Sequence, residues 1–104
     1  MSSVKKIVLV TAEHHPYHKL WVKLAERISK ELNVPLEVKI EDYVYVNEYG
    51  DKDEFGMAWI PQILAELNDG SVRVLLSQLP LNQALQPDEE KALEIMKSKA
   101  LGSQ

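Results

Sequence analysis

The chain of 104 residues contains no cysteine. That absence excludes structural disulfides, thiolate-ligated zinc and iron–sulfur clusters. It also excludes thiol–disulfide exchange, which requires a thiolate nucleophile. Positive charge is scarce as well. Twelve Lys and Arg against sixteen Asp and Glu leave a net charge of −4, which disfavours sequence-independent binding to a phosphate backbone. No basic stripe with interleaved aromatics occurs, so nucleic acid is not an expected partner. Long apolar runs are missing too, since nothing approaches the roughly 20 residues of a membrane span. Lys5-Lys6 followed by Ile7 to Ala12 is too short for a signal-peptide core and runs into Glu13-His14-His15 without a small-residue cleavage site. No membrane partner is expected, and the expected location is cytoplasmic. Phosphate-loop and dinucleotide motifs are absent, and no serine lies in a nucleophile-elbow context. Without repeats or low-complexity segments, the length predicts one domain over residues 1–104.

What is present alternates between strand and helix signals. Residues 5–11 hold the unbroken apolar run Ile7-Val8-Leu9-Val10, as in a central strand covered on both faces. Pro16 fits the first turn of a helix, and Tyr17, Trp21, Leu24, Ala25, Ile28 and Leu32 then recur at spacings of three and four. Asn33 and Pro35 stop that helix near residue 32. In the next segment, Leu36, Val38 and Ile40 share one face of a strand, opposite Glu37 and Lys39. The β-formers Tyr43-Val44-Tyr45-Val46 leave room for its continuation. Residues 47–58 read as a loop with room for a short helix from Asp53. Strands over Pro61–Leu67 and Ser71–Leu76 are joined by the turn Asn68-Asp69-Gly70.

Pro80 and Pro87 bracket a linker. A last helix starts at Pro87, with Asp88, Glu89 and Glu90 in its first turn and Lys97 and Lys99 near its end, as the helix dipole favours. Ala92, Leu93, Met96 and Ala100 form its apolar stripe, and Gly102 its C-terminal cap. The predicted class is α/β, of β-α-β-β-β-α type, with a four-stranded mixed sheet flanked by helices. A strand, a helix and a strand in succession imply a right-handed parallel crossover. A ferredoxin-like arrangement is the rival.

Two motifs carry a family resemblance. His15-Pro16-Tyr17-His18 follows the first strand and resembles the C-P-Y-C motif of glutaredoxins with both cysteines replaced by histidine. Phe55-Gly56-Met57-Ala58-Trp59-Ile60-Pro61 resembles the thioredoxin stretch that ends in a cis-proline. The resemblance covers most of the chain and implies a thioredoxin-like fold with a cis Ile60–Pro61 bond beside His15. It further implies a groove for an extended peptide or protein segment, lined by His15, Tyr17, Trp59, Ile60 and Pro61. The departures matter equally. Both cysteine positions are histidine, Gln62 stands where the family commonly has threonine, and no glutathione-site motif surrounds Gly70. The expectation is a redox-inactive binding or interaction domain with no catalytic residue assigned, and a residual enzyme with a neutral histidine as general base is a further alternative.

The histidines support a different reading as well. His14, His15 and His18, with Glu13 adding an oxygen, are the residue types that ligate Zn, Ni or Cu. A metal-binding protein is therefore the alternative function, and a divalent transition metal the one cofactor considered. The plainer account is that the histidines are polar replacements for lost cysteines, with His18 hydrogen-bonded to the backbone. Trp21 belongs to the apolar helix stripe, whereas Trp59 has the better claim to a surface groove. Tyr43, Tyr45 and Tyr49 read as strand and loop residues, and Asp51, Asp53 and Glu54 as a solvated acidic loop.

Overall fold

The structure, a computed structural model, describes residues 3–102. Strand β1 (Val4–Thr11) runs through the middle of the sheet, and Ile7, Val8, Leu9 and Val10 are fully buried. Both of its faces are covered, which is why the run does not alternate. Helix α1 (His18–Leu32) leads to β2 (Leu36–Ile40), which pairs parallel with β1 from Ile7↔Leu36 to Thr11↔Ile40. Helix α2 (Tyr43–Tyr49) precedes β3 (Gln62–Leu67), which is antiparallel to β1. Strand β4 (Val72–Leu76) is antiparallel to β3, and α3 (Glu89–Ala100) closes the order. The sheet is four-stranded and mixed, in the order β2-β1-β3-β4. Among the described residues, no helix is long and apolar enough to cross a membrane.

Two apolar clusters lie on opposite faces. On one, Ile7, Leu9, Ile63, Ala65 and Leu67 meet Trp21, Leu24, Ala25 and Ile28 of α1 and Ala92, Leu93, Met96 and Ala100 of α3. On the other, Val8, Val10 and Leu64 meet Val46 of α2. Asn33, at φ 56, ends α1 with its N–H on the Lys30 carbonyl. The side chain of Asp88 caps α3 by accepting the Lys91 N–H, so the helix starts at Glu89 and not at Pro87. Gly102 follows it at φ 76.

Three expectations are corrected. Tyr43 to Val46 do not continue β2 but open α2. Glu41 turns the chain at φ 52, and the Asp42 carboxylate then accepts the Tyr45 N–H at 3.0 Å. That cap and the burial of Val46 outweigh the β preference of the aromatic and β-branched residues. No helix starts at Asp53. Its carboxylate accepts the N–H groups of Phe55 and Met57, and a Lys52↔Ala58 bridge closes the turn. Tyr17 is exposed and lies outside the buried stripe of α1, because the helix begins one residue after it.

The α2 face also holds a charged network. Lys6 reaches Glu37 at 2.6 Å and Glu66 at 3.6 Å, and Lys39 reaches Glu37 at 3.2 Å. The hydrogen bond from Lys6 holds the Glu37 carboxyl below its ordinary range. Tyr45 donates to Glu66 at 2.9 Å. Burial first, and then this bond, push the Tyr45 phenol well above its ordinary value of 10.0. The folded chain thus keeps a proton that the unfolded chain releases above about pH 10. The contribution is complete below that pH and is lost as pH rises towards the folded-state value. In an alkaline absorbance titration, the Tyr45 phenolate should lag furthest, and in Tyr45→Phe only the upward shift that the Glu48 hydrogen bond gives Tyr49 should remain. Uniform titration of all tyrosines near pH 10 would contradict this assignment.

Candidate functional site

The site forms where β1 ends. Two turns link β1 to α1: the His15 N–H donates to the Ala12 carbonyl and the His18 N–H to the His15 carbonyl, both at 3.0 Å. Residues 15–17 are therefore not the first helical turn, as the sequence suggests, but the approach to it. The residue before a proline avoids helical backbone, and the ring of His15 stabilises the alternative. Its Nδ1 accepts the Tyr17 N–H at 3.0 Å, which leaves Nε2 as the protonated nitrogen of the neutral ring. His18 Nδ1 lies 3.1 Å from the hydroxyl of buried Thr11, so the partner of His18 is a side chain and not the backbone.

The facing wall is Trp59-Ile60-Pro61, with a cis bond between Ile60 and Pro61. It is fixed from beneath by Gln62, which is fully buried. The Gln62 amide donates to the carbonyls of Asp51 (3.0 Å) and Trp59 (2.9 Å), and its oxygen accepts the Asp51 N–H at 2.9 Å. Gly50 is required here by space, since a Cβ at that position would stand 2.6 Å from Val46 and 2.9 Å from the Gln62 oxygen. The third wall follows β4. The Trp59 indole N–H donates to the Ser77 carbonyl at 2.9 Å, and the Ser77 hydroxyl donates to the Asp51 carboxylate at 2.6 Å.

These walls enclose a groove of about 270 Å³ that His15, Trp59, Ile60, Pro61 and Leu79 line together with the edge of buried Trp21. Among the described residues, no hydrogen bond engages the N–H or carbonyl of Ile60. Larger concavities of about 500 and 410 Å³ lie beside α3 and α2, but charged side chains frame much of both. Of these three, the smaller groove combines apolar walls, a fixed indole and an available backbone segment.

The structure thus brings His15, Trp59, Ile60 and Pro61 onto one groove. Tyr17 stands beside it, 48% exposed, with its ring centroid 6.4 Å from that of His15. His14 is exposed. Among the described residues, no three His, Cys, Asp or Glu side chains gather into a group that could hold a metal ion. Asp51, Gln62 and Ser77, which hold the walls in place, carry no local sequence signal for that role. They are joined by bonds between residues 11 and 26 apart. Comparison of the chain with protein-family models, curated proteins and solved structures gives no match.

Proposed function

We propose that the chain is a redox-inactive, thioredoxin-like domain that binds an extended peptide or protein segment in the groove between His15 and Ile60-Pro61. The sheet order, with its parallel β1–β2 half and antiparallel β3–β4 half, is compatible with that arrangement. The observation that carries the reading is the Ile60 backbone, which has no hydrogen-bond partner among the described residues and lies in an apolar groove. An extended segment satisfies such groups by backbone pairing, while Trp59 and Leu79 supply apolar contact. His15 offers its Nε2–H at the rim. Selection from a random-peptide library, followed by titration of the chosen peptide, tests this. Trp59→Ala should weaken binding at least about tenfold, as expected of an interface aromatic. Equal affinity in that variant would place the peptide elsewhere.

The thioredoxin-like part of the reading has its own test. Without a sulfur nucleophile the chain should not reduce insulin disulfides. Substituting cysteine at both His15 and His18 places two thiols across a turn, where Cα atoms lie within about 7 Å and a disulfide spans about 4.4–6.8 Å. The double variant should form an intramolecular disulfide on oxidation and gain reductase activity. A folded double variant that forms no such bond would count against the scaffold assignment. The metal reading draws no support from the described geometry, and calorimetric titration with Zn, Ni or Cu should give no heat that His15→Ala or His18→Ala abolishes.

A further inference from the structure

The outer edge of β2 has no partner strand among the described residues. Its register with β1 decides which backbone groups are spare. Ile7 donates to the Pro35 carbonyl at 2.9 Å and Glu41 to the Thr11 carbonyl at 2.7 Å. In a parallel ladder, alternate residues bond to the neighbour, so Glu37 and Lys39 spend their groups on β1. Leu36, Val38 and Ile40 direct theirs outward. The usual protections of an edge strand are weak here. The β1–β2 register has no bulge, and Pro35 lies before the strand. Lys39 is tied to Glu37 at 3.2 Å and Asp42 at 3.9 Å. Val38 and Ile40 remain 42% and 45% exposed.

We propose that this edge is a self-complementary interface, on which a second copy of the chain pairs antiparallel through β2 about a two-fold axis at Val38. In that register Val38 faces Val38 of the partner copy, Leu36 faces Ile40, and Glu37 faces Lys39. All three outward-facing residues meet outward-facing residues, so each pair exchanges both backbone bonds. The apolar residues join on the α1 face and opposite charges join on the α2 face. Sliding the axis by one residue brings two Glu37 or two Lys39 side chains face to face, which is destabilising in a cross-strand pair. The charge pattern therefore selects one register of the possible ones. The product is a continuous sheet across both copies, with each groove left open because it lies among β1, β3 and β4.

Sedimentation velocity over a range of concentrations tests this with the full chain. The parent should pass from monomer to dimer as concentration rises. Lys39→Glu sets like charges opposite each other at two places and should raise the dimer dissociation constant roughly tenfold. Combining it with Glu37→Lys restores opposite pairs and should recover most of the affinity. In the parent, amide exchange at Leu36, Val38 and Ile40 should slow with concentration while that at Phe55 does not. A parent that stays monomeric throughout would overturn the proposal. A dimer indifferent to Lys39→Glu, or one whose β2 amides exchange at a fixed rate, would overturn it too.

Discussion

Trp21→Ala should lower the unfolding free energy by about 3–5 kcal/mol, the cost of deleting a buried large aromatic side chain. Trp21 is 2% exposed and lies in the cluster that joins α1 to β1, β3 and α3. Removing the indole deletes its contacts and leaves a cavity that neighbours close only in part. Small domains have a total stability of about 5–15 kcal/mol, so the variant should unfold at far lower denaturant concentration. Phe55→Ala is the matched control: the side chain is 83% exposed, and its loss should change stability by less than about 0.5 kcal/mol. Urea unfolding followed by circular dichroism separates the two. Similar midpoints for both variants would contradict the assignment of Trp21 to the core.

Gln62→Leu should cost about 2–4 kcal/mol and open the groove at the same time. The size of the side chain is nearly kept, but three hydrogen bonds disappear, two to Asp51 and one to the Trp59 carbonyl. Each partner then loses its only compensation within the fold or turns to water, which displaces residues 51–59. Trp59 emission should shift to the red and peptide affinity should fall, even though residue 62 does not line the groove. Gln62→Glu is the sharper variant, because a carboxylate accepts but does not donate and its burial adds a charge penalty. If both variants retain parent stability, the proposed anchoring of the Trp59 wall by Gln62 is wrong.

Much of the scaffold was legible from residues alone, for identifiable reasons. The apolar run Ile7 to Val10 is buried on both faces of a central strand, and Trp21, Leu24, Ala25 and Ile28 repeat at helical spacing. The Asn68-Asp69-Gly70 turn sits between β3 and β4, with Gly70 at φ 89. The misread segments are those in which one side-chain bond overrides composition. Tyr43-Val44-Tyr45-Val46 looks like a strand until Asp42 caps it, and Asp53 looks like a helix start until its carboxylate closes a turn. At the site, His15, Trp59, Ile60 and Pro61 were found through motif likeness. Asp51 reads in sequence as part of a solvated acidic loop, and Ser77 and Leu79 carry no motif, because the roles of all three depend on contacts between segments distant in sequence. Gln62 was visible only as a departure, and its function emerged from its burial and its three bonds.

Where a bound peptide sits decides between the groove and every other surface of the chain. Amide chemical-shift mapping of the isotopically labelled chain, titrated with a library-selected peptide, reads this directly. The largest perturbations are expected at residues 15–17, 59–60 and 77–79, and the Ile60 N–H should move downfield as it gains an acceptor. Perturbations confined to α3, or to the outer edge of β2, with the Ile60 amide unmoved at saturation, would contradict the groove as the binding site.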